Sequence, residues 1–301
     1  MSAAGSLAAR LRAFGARRVA FLGLAKNVGK TTALVSVLAE LHRMGVAAGT
    51  TSAGRDGEAF DAITGEPKPR FRVWPGQFLA SAESTFAAAS FPSTEVATLS
   101  FPTRFGPVQL RRSEGEGEIE LIGPSTAAQM DRSAAALEAA GAEILLLDGA
   151  IGRRAFAGAR VSDAVVLCVG MAAGATIEAV LAATRGALEL LRLNAPREDA
   201  AIVPREGAVT GVSLEERPPS PGETLVAEDF TSIFLTPEER RALRDRGVSL
   251  AVRRPARLLA VTANPTAPAR PPLPAERFFE ALVREAAGTP VYDLVADLES
   301  R

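Results

Sequence analysis

The feature that most restricts the fold of this chain is a decapeptide, Gly23-Leu-Ala-Lys-Asn-Val-Gly-Lys-Thr-Thr32, set between an apolar run and a helical pattern. Ahead of it, residues 18–23 (Arg-Val-Ala-Phe-Leu-Gly) read as a buried strand. Behind it, Leu34, Val37, Leu38 and Leu41 recur at helical spacing as far as Gly45, which predicts a helix over residues 29–44. A further short strand is expected over residues 46–52, so the segment is a βαβ unit. A glycine-containing turn from a buried strand into a helix gathers main-chain N–H groups and the positive end of the helix dipole at one point. Phosphate oxygens bind at such points.

Four residues at the end of the loop have a part in that chemistry. Gly29 lets the backbone approach closely, and Lys30 carries a mobile positive charge to β/γ phosphates. Thr31 offers the hydroxyl that ligates Mg2+, and Thr32 stands within reach of an α-phosphate. Lys26, Asn27 and Val28 complete the cradle, so nucleotide (ATP) with Mg2+ is the expected ligand. The loop is a variant of the G-x-x-x-x-G-K-[ST] pattern: Leu24 occupies the first glycine's place and Gly23 stands one residue earlier. Lys26 is not at the second position, where dimerising Walker-type ATPases carry their extra lysine, and phosphate contact, partner contact and loop solvation all stay open for it. Residue usage points to the same place. The chain has only three lysines, Lys26, Lys30 and Lys68, and three asparagines, Asn27, Asn194 and Asn264, and this one loop holds two of the former and one of the latter. Lysines that survive in an arginine-rich chain are those whose chemistry arginine does not replace.

Further strands are expected at residues 71–74, 108–111, 119–122, 144–147, 164–169, 258–262 and 291–294, with helices over 5–14, 125–140, 176–193 and 275–287. Apolar strands alternating with helices imply a largely parallel sheet covered on both faces. Residues 65–120 differ, with Pro/Phe/Ser-rich sequence and a hairpin expected through Ser113-Glu-Gly-Glu-Gly117. A second irregular stretch, residues 217–222, precedes a capped helix at Thr236-Pro-Glu-Glu-Arg. The expectation is an α/β protein, a P-loop NTPase with a mostly parallel, helix-covered sheet: one domain over residues 1–301, with a small antiparallel β-rich excursion inserted at 65–120.

Candidate site residues lie where strands end, because open α/β sheets bind ligands at their carboxyl edge. Ile144-Leu-Leu-Leu-Asp148-Gly149 places an acid where a Walker-B carboxylate meets Mg2+. The loop Thr50-Thr-Ser-Ala-Gly-Arg-Asp-Gly-Glu58 leaves the same edge; Asp56 and Glu58 either reach the γ-phosphate, its metal or the attacking water, or form a solvated turn. Catalysis is therefore expected from Lys30, Asp56 and Asp148, and metal ligation from Thr31, Asp56 and Asp148. Arg55, Arg153 and Arg154 are weaker candidates for stabilising transferring charge. Asn264, before Pro265, either reads a purine edge or caps its own turn.

Composition narrows the remaining classes. With 34 Lys+Arg against 35 Asp+Glu the net charge is −1, which supplies no positive field for nucleic acid. The longest apolar stretch, residues 164–177, is broken by two glycines and is shorter than the roughly 20 residues a bilayer span requires, so a soluble, cytoplasmic protein without a membrane partner is expected. One cysteine, Cys168, and one histidine, His42, form neither a disulfide framework nor a zinc site; both read as structural, Cys168 in a buried strand and His42 at a helix end.

Four blocks together resemble the P-loop subunit of the lysine 5,6-aminomutase reactivase. They are Gly23 to Thr32; Thr51-Ser-Ala-Gly-Arg-Asp-Gly-Glu58 with Thr64-Gly-Glu-Pro-Lys-Pro-Arg70; Leu147-Asp-Gly-Ala-Ile-Gly-Arg-Arg154; and Val261-Thr-Ala-Asn-Pro265. They span nearly the whole chain, and the pattern departs at Gly152, where the family has an asparagine. The resemblance implies an ATPase that, with a second ATPase subunit, exchanges damaged cobalamin in an adenosylcobalamin-dependent aminomutase without itself needing to bind cobalamin. Self-association into a homo-oligomer is left open. The main rival is an ATP-dependent ligase resembling dethiobiotin synthetase, with specificity in residues 55–75; Lys68, the only spare lysine, weakens it. A nucleotide-binding adapter without useful hydrolysis is the third reading.

Overall fold

The computed structural model describes residues 6–56, 71–148, 157–266 and 275–293. Helix α1 (Leu7–Phe14) leads into strand β1 (Arg18–Gly23), whose loop opens helix α2 (Lys30–Arg43). Strands β2 (Ala48–Ser52), β3 (Arg55–Asp56), β4 (Phe71–Val73) and β5 (Phe78–Ala82) follow, then helix α3 (Glu83–Ala87). Next come β6 (Ser93–Thr103), β7 (Gly106–Ser113), β8 (Gly117–Ile119), β9 (Leu121–Ile122), α4 (Ala127–Ala139) and β10 (Ile144–Asp148). After β11 (Ala164–Gly170) and α5 (Ile177–Leu191) stand β12 (Ala201–Pro204), α6 (Gly211–Glu216), β13 (Glu223–Ala227), α7 (Pro237–Asp245) and β14 (Ser249–Val252). The last described elements are β15 (Leu258–Asn264), α8 (Ala275–Ala286) and β16 (Val291–Asp293).

Among the described residues, nine strands form one sheet in the order β16-β15-β11-β1-β10-β2-β5-β7-β6. Pairing is parallel from β16 through β5 and antiparallel for β5 with β7 and β7 with β6. The protein is thus α/β with a large, mostly parallel central sheet. Its middle strands β1, β10 and β11 are buried on both faces, which is why their sequences run apolar without alternation. On one face, Leu11 of α1 and Leu34, Leu38 and Leu41 of α2 pack on Phe21, Leu146 and Val166. On the other, Val180 and Leu188 of α5 and Phe278 and Leu282 of α8 meet Leu22, Val165 and Leu167, while Met130 and Leu137 of α4 meet Leu145 and Leu147. Among the described residues no helix is long and apolar enough to cross a membrane.

Two expectations need correction. The hairpin predicted through residues 113–117 is not there: β7 turns back on β6 across Arg104 and Phe105, and β8, after residue 113, pairs antiparallel with β4 instead. The reason is the edge position of β6, whose outward side chains face water and so lack the alternation that marks a half-buried strand. The stretch between α5 and β15 also contains a separate three-stranded parallel sheet, β12-β13-β14, where the sequence suggested irregular chain and one helix. Strands of four and five residues are too short to show a period.

Candidate functional site

The loop from β1 to α2 rests on the carboxyl ends of β11 and β15. Leu24 N–H donates to the Cys168 carbonyl at 3.3 Å. A Cβ at Gly170 would lie 2.8 Å from Val28 Cα, and one at Gly29 would lie 3.1 Å from Asn264 Cβ and Nδ2. Asn27 and Gly29 both adopt left-handed backbone, with φ of 59° and 87°. Gly29 is the N-cap of α2 and supplies no side-chain hydrogen bond, whereas Ser6, Thr126, Thr176 and Thr236 each cap their own helices. The first N–H groups of α2 therefore receive no side-chain cap, at a helix end whose dipole favours an anion. From β1 the chain crosses to β2 on one side of the sheet, and from the adjacent β11 it crosses to β15 on the other, so the carboxyl end between β1 and β11 is a topological switch point.

Lys30 does not face solvent. It is only 6% exposed, because its stem folds back over the end of β1. A Cβ at Gly23 would meet Lys30 Cδ at 2.8 Å and Val28 Cγ2 at 3.0 Å, which gives the displaced glycine of the loop a physical role: it makes room for the lysine stem. Lys26, by contrast, is exposed. Thr31 and Thr32 are half-buried at the first turn of α2.

Thr31 Oγ1 donates to Asp148 Oδ2 at 3.5 Å, so the helix hydroxyl and the strand-end carboxylate that the sequence pairs are brought together. Asp148 is 1% exposed and its main-chain carbonyl accepts from Ala53 N–H at 2.9 Å, which ties the exit of β2 to β10. Hydroxyl and carboxylate oxygens of this kind suit a hard divalent cation such as Mg2+. Opposite Asp148 in the β2–β10 register stands Ser52, fully buried, whose Oγ finds no hydrogen-bond partner among the described residues. The sequence reading passed over Ser52. Its signal was a small polar residue ending a buried strand level with Asp148, visible only once the register is known.

Asn264 is held in its own turn: Oδ1 accepts from Thr266 N–H at 3.1 Å and from Thr266 Oγ1 at 2.7 Å. The capping reading of Asn264 is thus present, while its Nδ2 remains on the loop side, against Gly29. Cys168 lies beneath the site; burial pushes its thiol up to about 12, against a hydrogen bond with Thr262 and the attraction of the Lys30 charge. It is a structural thiol. His42, in the last turn of α2, stacks on Trp74 with ring centroids 6.4 Å apart. Asp56 belongs to β3, paired with Leu121, but the side chains of Arg55 and Asp56 lie outside the described residues, as do Glu58, Lys68, Arg153 and Arg154. The site therefore joins Gly29, Lys30, Thr31, Asp148, Ser52 and Asn264 at one edge of the sheet, an arrangement able to hold a polyphosphate and a divalent cation. Compared with protein-family models and with curated proteins, the chain matches none.

Proposed function

We propose that this chain is a P-loop nucleoside triphosphatase that binds Mg-ATP at the β1–α2 loop and uses it to switch its grip on a protein partner. The observation that carries this reading is the convergence of a helix end without a side-chain cap at Gly29, the folded-back Lys30 and the Thr31–Asp148 contact at a switch point of a parallel sheet. The α2 amides and Lys30 bind and orient the terminal phosphates, for which the lysine stem must swing out from over Gly23. Thr31 and Asp148 would hold Mg2+, which when bound would supply positive charge against that of the phosphates. Asp56 is assigned to the attacking water and the metal. Loss of the γ-phosphate would release Asp56 and Asp148 from their bound partners, the general manner of nucleotide switches.

The partner is proposed from the resemblance of the four sequence blocks: an adenosylcobalamin-dependent aminomutase, served together with a second ATPase subunit, with damaged cobalamin exchanged on the mutase. Turnover by the chain alone should then be slow and rise when mutase and second subunit are added. Rapid hydrolysis independent of partners, or ADP release that requires a small metabolite, would refute the reactivase reading, the latter in favour of the ligase. Absence of any heat on titrating millimolar ATP with Mg2+ would refute nucleotide binding itself.

A further inference from the structure

Most buried polar atoms in folded proteins are hydrogen-bonded, and an orphan needs a reason. Ser52 Oγ is such an orphan. The residue is 0% exposed, sits at the carboxyl end of β2, and has no hydrogen-bond partner among the described residues. Its neighbours Thr50 and Thr51 are satisfied, Thr50 by the Leu146 carbonyl at 2.8 Å and Thr51 by the Ala80 carbonyl at 2.8 Å, so the deficit belongs to the one hydroxyl at the sheet's edge.

Ser52 pairs in register with Asp148 across parallel strands. Register partners project from the same face of a sheet, so Ser52 shares the α2 face with the carboxylate that accepts from Thr31. The backbone around it is held from three sides. Ala53 N–H donates to Asp148 O at 2.9 Å, Gly54 N–H to Pro124 O at 3.1 Å, and Gly123 N–H to Gly54 O at 2.8 Å. Gly123 passes so close that a Cβ there would fall 1.9 Å from the Ser52 carbonyl oxygen. The hydroxyl is thus buried and, among the described residues, unpartnered beside the proposed cation ligands.

We infer that Ser52 is a further protein element of the cation site, its Oγ engaging the Mg2+ coordination sphere of the bound nucleotide, directly or through a coordinated water. This rests on the proposed function, because only a cation between Thr31 and Asp148 gives the hydroxyl its partner. Magnesium keeps several waters when bound, and the groups that orient those waters tune its affinity.

The test is calorimetric titration of the full chain with ATP, without metal and with excess Mg2+, alongside thermal melting of the nucleotide-free protein. Ser52→Ala should bind metal-free ATP as the wild type does, lose about tenfold of the tightening that Mg2+ confers, and melt at or above the wild-type temperature, since it removes an unsatisfied group. Ser52→Cys should regain with Cd2+ what it loses with Mg2+, because a thiolate prefers the softer cation. An unchanged Mg2+ increment in Ser52→Ala, an equal loss for metal-free ATP, or a lower melting temperature of the free protein would overturn the inference while leaving the proposed function intact. Failure of the wild type to bind ATP at all would overturn both, and that is read without any variant.

Discussion

Lys30 offers a perturbation whose two consequences separate cleanly. Truncation to alanine withdraws three methylenes from the packing over Gly23 and Val28, a loss of about 2.4 kcal/mol at about 0.8 kcal/mol for each buried methylene. Against this, the variant recovers up to about 2 kcal/mol of side-chain entropy and no longer keeps an ammonium in a site only 6% exposed. The terms nearly cancel, so the nucleotide-free protein should change by no more than about 1 kcal/mol, a melting shift of about 2–4 °C. The effect on ligand is of another size. Removing a charged partner from phosphate oxygens costs about 2–5 kcal/mol, which weakens ATP by about 30-fold to several thousand-fold. Lys30→Met keeps the stem's bulk and loses only the charge, so it should melt even closer to wild type and bind ATP as poorly as Lys30→Ala. Differential scanning calorimetry and titration with Mg-ATP measure the two quantities on the same samples. Wild-type ATP affinity in either variant would refute the assignment of Lys30 to the phosphates. A fall of more than 10 °C in Lys30→Met, on the order of several kcal/mol, would show that the ammonium itself holds the nucleotide-free loop in place and that burial and entropy do not cancel.

Other outcomes follow from single contacts. Asn264→Ala should cost about 1 kcal/mol through the lost Thr266 contacts and weaken ATP more than pyrophosphate; equal losses would remove any role in base recognition. Gly123→Ala should destabilise by about 1–3 kcal/mol, because the colliding atom is the main-chain oxygen of Ser52 and cannot step aside; an unshifted melting curve would contradict that packing. Cys168, with its thiol at about 12 and fully buried, should resist alkylation at pH 8 in the native protein and react fully in denaturant. Hydrogen bonds and charge from Arg18 outweigh burial and hold the Glu138 carboxyl below the ordinary range, and burial of Glu189 is outweighed by Arg240 and Arg244. A carboxyl depressed in the folded state contributes stability that is complete above the unfolded value of about 4.3 and is lost as pH falls through the folded value, so acid unfolding should lose slope in Glu189→Gln. That variant also leaves the Arg240 guanidinium, 3% exposed, with the Leu235 and Gly186 carbonyls but no carboxylate, at a cost of about 1.5–3 kcal/mol in urea unfolding at pH 7.

What the chain's own order of residues determined is local. The strand, turn and helix of residues 18–44 follow from an apolar run, two left-handed positions and a helical period, all within one short span. The Ser and Thr caps at residues 6, 126, 176 and 236 are equally local, since a cap needs only the next few amides. Asp148 stood out because its buried strand ends in an acid downstream of a phosphate-binding loop, where a metal gives the carboxylate something to meet; alone, a strand ending in Asp marks little. The tertiary structure decided the rest. Lys30 is buried only because β1 ends in Gly23 directly beneath it, and Ser52 becomes conspicuous only when strand register sets it level with Asp148. The β6–β7 hairpin and the small parallel sheet were hidden because their strands are exposed or very short, so burial left little period in the sequence. Contacts between residues nearly a hundred apart, such as Ser52 with Asp148, depend on which strands become neighbours, and that is set by how the whole sheet buries its apolar surface.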